Sequence, residues 1–292
     1  MLAQQVLNGL ILGSTYALVA IGYTLVFGVL NLLNFAHANV FALGGFLLFA
    51  ALVSFGLPFP VGVLLVLVAG LGLGYLTELL CFRSAATRKD ELTPAIASIA
   101  FGLALTEVVA KVWGSEPLRL PPLLDAVSLN VGDLQVSGVQ ALILALSLLL
   151  MAGLDLMLRR TRLGFSLRAA AENREVAQLL GVDIRSTVLL AFMLSGALAT
   201  LAGVLVSARL GLADPNIGLS YGLRALAVMV IGGLGNVRGA MLAGLLVGFV
   251  DVFTLAFLSQ AYSGIGAWVL LIVVLLVKPS GLLGSYVQRE SI

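Results

Sequence analysis

Nine apolar runs constrain this chain before any motif is read. They occupy residues 6–30, 35–55, 60–82, 94–113, 138–158, 187–208, 221–234, 240–258 and 265–277 of a 292-residue sequence. A helix of about 20 residues, rising about 1.5 Å each, covers the roughly 30 Å of hydrocarbon in a bilayer, so most runs predict a full crossing. Two of them, 221–234 and 265–277, are shorter and predict half-helices or steeply flanked spans, which leaves eight or nine crossings. Composition agrees: 10% of residues are charged and mean hydropathy is +1.13, against about 25% charged in soluble domains. Strands of about ten residues with alternating polarity, the mark of a transmembrane barrel, do not occur. The expectation is an all-α polytopic helical bundle forming one integral domain over 1–292, because no polar stretch is long enough to bury a core of its own. The opening M-L-A-Q-Q-V-L-N-G-L lacks a cationic start and reads as a retained first span.

Cation bias sets the expected orientation. With the loop after residue 82 placed in the cytoplasm and the spans alternated, the inside holds Arg83, Arg88, Lys89, six arginines of residues 159–185, Arg238, Lys278 and Arg289, which is 12 of the 16 Lys and Arg. The outside holds Lys111, Arg119, Arg209 and Arg224. The amino terminus is then outside and the carboxyl terminus cytoplasmic. The outer loop 114–137, with Pro117, Pro121, Pro122, Asp125 and Asp133, reads as an exposed connector.

Residues 159–185 form the one long polar island, R-R-T-R-L-G-F-S-L-R-A-A-A-E-N-R-E-V-A-Q-L-L-G-V-D-I-R. Ala169, Ala170 and Ala171, and then Val176 to Leu180, favour helix. Asn173 suits an N-cap, Glu175 the first turn of a second helix, and Gly181 a left-handed stop. Val176, Leu179 and Leu180 would form an apolar ridge among arginines. Attraction to anionic lipid explains the arginines, whereas a capped helix with a glycine stop points to docking on another protein.

Polar residues inside the spans are costly and mark function or packing. Glu107 and Lys111 stand four apart with the acid first, a spacing that permits pairing on one helix face. Asp251 has no local partner in G-F-V-D-V-F-T-L-A-F and is a candidate for the translocation pathway. Glu78 and Asp155 lie near inner ends. The segment N-L-L-N-F-A-H-A (31–38) parts the first two runs without charge or turn glycine. Its Asn31 and Asn34 can satisfy broken backbone lining a cavity, and His37 can titrate or complete a hydrogen-bond network. Most glycines, together with Ser195 and Ala199, stand at helix-packing spacing, as do Gly203, Gly244 and Gly248. Gly232 to Gly235 reads as an inter-span turn.

No phosphate-binding loop, Cys/His metal cluster or nucleophile elbow occurs, so catalysis, cofactor, metal and nucleic-acid partner are all unexpected. The lone Cys81 reads as packing. Energy for pumping would come from an ion gradient or from a separate motor.

Several stretches resemble the LivH-type permeases of branched-chain amino-acid ABC importers. These are L-N-G-L-I-L-G-S-T-Y-A-L-V-A-I-G-Y-T-L-V-F-G (7–28), N-L-L-N-F-A-H-A (31–38), L-R-A-A-A-E-N-R-E-V-A-Q-L-L-G-V-D (167–183), A-F-M-L-S-G-A-L-A-T-L-A-G-V-L (191–205) and I-G-G-L-G-N-V-R-G-A (231–240). The short start is similar to LivH rather than to its longer companion. One departure is Ala38, where the family signature has glycine; either the position is helical or the break differs. The resemblance implies a permease paired with a LivM-like companion, two cytoplasmic ATPases, an extracytoplasmic solute-binding protein and a small aliphatic amino acid as substrate. It also implies that Arg168, Glu172, Asn173, Val176, Leu179, Leu180 and Gly181 couple to the ATPase in a plasma-membrane complex. A urea or amide permease, an ion-coupled transporter using Asp251 or Glu107, and a passive channel remain open alternatives.

Overall fold

The computed structural model describes residues 2–83, 92–122, 128–131, 134–258, 262 and 264–284. Arg88, Lys89, Asp125, Asp133 and Arg289 lie outside the described residues. The protein is a helical membrane bundle. Its helices are α1 (Leu2–Leu30), α2 (His37–Phe49), α3 (Phe59–Thr77), α4 (Leu92–Trp113), α5 (Gly138–Arg160), α6 (Arg162–Glu172), α7 (Arg174–Leu179), α8 (Ile184–Leu210), α9 (Ile217–Gly232), α10 (Val237–Phe257) and α11 (Ile265–Val277). Wide turns at Ala50–Ser54 and Glu78–Phe82 extend α2 and α3, each closed by a bond five residues on, Phe55 N to Ala50 O at 3.0 Å and Arg83 N to Glu78 O at 2.8 Å. Among the described residues, seven helices are long and apolar enough to cross a bilayer, while α9 and α11 are shorter. The shortest runs in the sequence are thus the short helices.

α1 and α8 form the centre and are buried nearly all round, whereas α3, α4 and α5 turn most of their surface outward. A helix apolar on every side belongs either in a core or in lipid, and both kinds occur here. In lipid the close approach of backbones, rather than the hydrophobic effect, holds helices together. Small residues permit it: a Cβ on Gly244 of α10 would stand 2.6 Å from the Cα of Ala17 on α1, and one on Gly13 would stand 2.7 Å from the Cα of Leu245.

Contacts sort the helix ends onto two faces. On one, Gln4 Nε2 at the start of α1 donates to Gln135 O at 3.0 Å. Gln135 belongs to a hairpin of β2 (Ser128–Val131) and β3 (Leu134–Ser137). β1 (Leu118–Arg119), after α4, pairs antiparallel with β4 (Leu212–Ala213), after α8. The expected connector 114–137 therefore carries short strands, one of which pairs with a segment far along the chain. The opposite face gathers the ends of α1, α5, α9 and α11, with α6 and α7 set against α1, α5 and α8. There Arg238 at the start of α10 meets Asp155 at 2.8 Å, and Asn236 Nδ2 donates to Leu283 O at 2.7 Å. Asp155 also pairs with Arg159 at 3.1 Å and Glu78 with Arg83 at 2.9 Å. Gly233 and Gly235, at φ +105° and +78°, make the turn from α9 to α10.

Candidate functional site

The polar island folds as two helices, each stopped and started by its own side chains. Thr161 Oγ1 accepts from Gly164 N at 3.1 Å to open α6. Asn173 then ends α6 and opens α7, its Oδ1 accepting from Val176 N at 3.0 Å, with Glu175 in the first turn where the helix dipole favours an acid. α7 closes with Val182 N bonding Ala177 O and Gly181 N bonding Gln178 O, both at 3.0 Å. This paired stop needs a left-handed residue, which Gly181 supplies at φ +87°. Leu167 and Ala170 pack inward with Val29 of α1 and Ala191 of α8. Leu179 and Leu180 point away from the bundle, 87% and 79% exposed. A cleft of about 340 Å³ opens between the helices, lined among others by Phe165, Arg168, Glu172, Asn173, Val176 and Leu180.

Arg174, between these capping residues, reaches back to the membrane bundle. Its Nε donates to Val29 O at 2.8 Å and its Nη2 donates to Leu30 O. Those are last-turn carbonyls of α1, which have no partner within the helix and carry its negative dipole end. Partial burial lowers the guanidinium from its ordinary pKa, yet arginine remains charged in proteins.

The break between α1 and α2 begins one residue later. Asn31 adopts φ +54° and is exposed. Asn34 is buried, and its Oδ1 accepts from Ala36 N at 3.2 Å. Phe35 N donates to Ser98 Oγ of α4 at 3.1 Å. Ala38 is helical, which resolves the departure from the glycine signature: no positive φ is needed there. His37 is 1% exposed. Its Nε2 donates to Val19 O of α1 at 3.1 Å, and its Nδ1 lies 3.1 Å from Ser195 Oγ of α8, which donates to Gly22 O at 2.8 Å. The ring also tilts against Tyr23, with centroids 4.3 Å apart. Three helices meet on this one side chain.

Asp251 is not isolated. Tyr16 Oη donates to its Oδ2 at 3.0 Å, and Arg224 Nε lies 3.5 Å from the same oxygen. Its Oδ1 is buried without a hydrogen-bond partner among the described residues. The cluster ties α1, α9 and α10 together, with Tyr221 against Tyr16 at 5.4 Å. Glu107 differs from its expected pairing: it and Lys111 lie on an exposed face of α4, and no ion pair joins them among the described residues. Spacing of four permits contact on one helix face but does not impose it. Sequence reasoning missed several members of these clusters, Arg224, Ser195 and Tyr16 among them. Arg224 counted only as an outer cation, Ser195 only as a small packing residue, and Tyr16 carried no signal.

The family of branched-chain amino acid transport system permease components matches residues 5–275. The chain belongs to this family. Its similar relatives include the high-affinity branched-chain amino acid transport system permease protein BraD of Pseudomonas aeruginosa, 35% identical over 96% of this chain and 95% of that protein. LivH of Escherichia coli K12, also described as a high-affinity branched-chain amino acid permease, is 36% identical over the same shares. The ribose import permease RbsC of Haemophilus influenzae is more distant, 28% identical over 93% of this chain and 84% of RbsC. Among solved structures, PsaBC of Streptococcus pneumoniae, in complex with a Fab, matches with a TM-score of 0.51 at 12% identity, covering 96% of this chain and 92% of that one. That likeness concerns the fold alone. Family membership and helical architecture agree on a membrane permease.

Proposed function

We propose that this chain is the membrane-spanning permease subunit of an ATP-driven importer for branched-chain amino acids. It forms half of the translocation pathway beside a companion permease. The substrate class follows the two relatives at 35–36% identity over 96% of the chain, both named for branched-chain amino acids, rather than the ribose permease at 28%. Two ATPases seat on α6 and α7, which makes that face cytoplasmic and puts the carboxyl end there, with the amino end outside. An extracytoplasmic binding protein delivers substrate to the strand-bearing face. The chain has no catalytic role of its own.

The observation that carries this reading is a preformed helix pair outside the bundle. Its caps are complete, its ridge of Leu179 and Leu180 is unpartnered among the described residues, and its cleft is lined by Arg168, Glu172, Asn173 and Val176. Exposed leucines on a basic helix pair are a groove-docking element. Gly181 holds the ridge in place. Lipid headgroups would need only the arginines. Asn31, Asn34 and His37 are the pathway-side residues at the broken segment. Asp251 is engaged by Arg224 and Tyr16, which disfavours it as the ion carrier of a secondary transporter. Glu107, exposed on α4, must be met by the companion permease or by water.

The test is assembly. Arg168→Glu combined with Leu179→Ser and Leu180→Ser is expected to release the ATPases during purification while the bundle keeps its thermal unfolding midpoint. ATPases that stay bound to this triple variant would sink the docking reading. Uptake driven by an imposed ion gradient without ATP would sink the motor.

A further inference from the structure

We infer that Arg174 is the positioning residue that transmits ATPase movement into the membrane, by fastening the docking helix pair to the end of α1. The inference rests on the docking reading above. Three observations meet at this side chain. Arg174 is the first residue of α7, directly after the cap Asn173 and in the same short helix as Val176 and Leu179. Its guanidinium donates to two successive carbonyls, Val29 O and Leu30 O, at the end of the most enclosed helix of the bundle. The next residue, Asn31, turns to φ +54° and starts the non-helical segment that leads to His37.

Geometry explains why this contact can carry force. Arginine presents several donors in a planar fork, so two bonds to neighbouring carbonyls fix direction as well as distance. The apolar packing of Leu167 and Ala170 against Val29 and Ala191 can slide, whereas a charged fork on two carbonyls gives up both of its directional hydrogen bonds when it shifts. Upstream, α1 is gripped again: Val19 O accepts from His37 and Gly22 O from Ser195. A displacement of α7 therefore moves α1 as a rod, together with the parts of α2 and α8 that these bonds hold to it. Arg174 acts through α1 and need not touch substrate.

The experiment uses the whole transporter, with companion permease, ATPases and binding protein, in proteoliposomes. Arg174→Ala is expected to hold its ATPases at wild-type stoichiometry and to keep hydrolysing ATP. Uptake per ATP hydrolysed should fall about tenfold, within the usual range of coupling between sites. Arg174→Lys, which keeps the charge but not the fork, should fall between the two. A normal ratio of uptake to hydrolysis in Arg174→Ala overturns the inference and leaves the docking reading intact; wild-type complexes that hold no ATPase overturn both.

A second measurement decides if Arg174→Ala does not assemble. Spin labels go on Phe27→Cys and Glu175→Cys, since the native Cys81 is buried. Their separation in the complex with Arg174 intact should stay within about 2 Å between nucleotide-free and ATP-trapped states, and a change near one helical turn, about 5 Å, refutes the inference.

Discussion

Replacing Gly22 by alanine tests the junction of α1, α2 and α8 through a single methyl group. The added Cβ would lie 2.6 Å from His37 Nε2, closer than real Cβ contacts come. The ring has nowhere to go, because Val19 O and Ser195 Oγ hold it from two sides at 3.1 Å each and the tilted Tyr23 ring packs against it. Overpacking of a tight core costs about 1–3 kcal/mol. Two hydrogen bonds inside a membrane bundle add about 0.6 kcal/mol each when lost. Gly22→Ala should therefore cost about 2–4 kcal/mol.

The decisive form of the experiment is a cycle with His37→Ala. Removing the ring leaves space for the methyl, so Gly22→Ala in that background should cost less than about 1 kcal/mol, a coupling well outside the additivity of independent sites. Unfolding in mixed micelles can be followed by thiol labelling, since Cys81 is the sole cysteine and 2% exposed. Costs that add to within about 0.5 kcal/mol would refute the claim that the ring locks the junction. So would a Gly22→Ala protein as stable as wild type.

Two further outcomes follow from the structure. Arg224→Gln leaves Asp251 buried without its cation and should cost about 3 kcal/mol in the same assay, the low end for a broken buried pair because the arginine side chain keeps 22% exposure; the double variant with Asp251→Asn should recover most of that loss, and equal costs for the single and double variants would deny the pairing. At the start of α8, donation from the Ser186 hydroxyl and then its N–H holds the Asp183 carboxyl below its ordinary pKa, so the cap contributes stability above the unfolded pKa and loses it as pH falls through the depressed folded value; amide exchange at Ser186, corrected for intrinsic rate, should rise over that acidic window, and an unchanged protection factor would count against the cap.

What could be read from sequence was what is local. The caps of the helix pair lie within a few residues of what they cap, so Asn173, Glu175 and Gly181 announced the second helix and its stop, and the observed bonds follow. The apolar runs announced the bundle because length against bilayer thickness is itself a local property. The partners of Asp251 were illegible for the opposite reason: Tyr16 lies 235 positions away, and nothing near either residue names the other. The direction of Glu107 was hidden differently. α4 is apolar on nearly every side, so its sequence does not distinguish the face that meets α2 from the face left exposed.

A buried helix normally spends its carbonyls on its own amides, yet four carbonyls of α1 accept from outside it: Val19 from α2, Gly22 from α8, and Val29 and Leu30 from α7. Small residues bring α10 against the same helix near Gly13 and Ala17. α1 is thus the member through which α2, α7, α8 and α10 all find their positions. Its neighbour along the chain, residues 31–36, forms no helix and contains no glycine. A bundle built this way is stiff around α1 and compliant beside it. Movement that enters at α7 can carry α1 together with the helices bonded to it without unmaking the core, which is what rigid-body rocking between alternately exposed states would require of a permease.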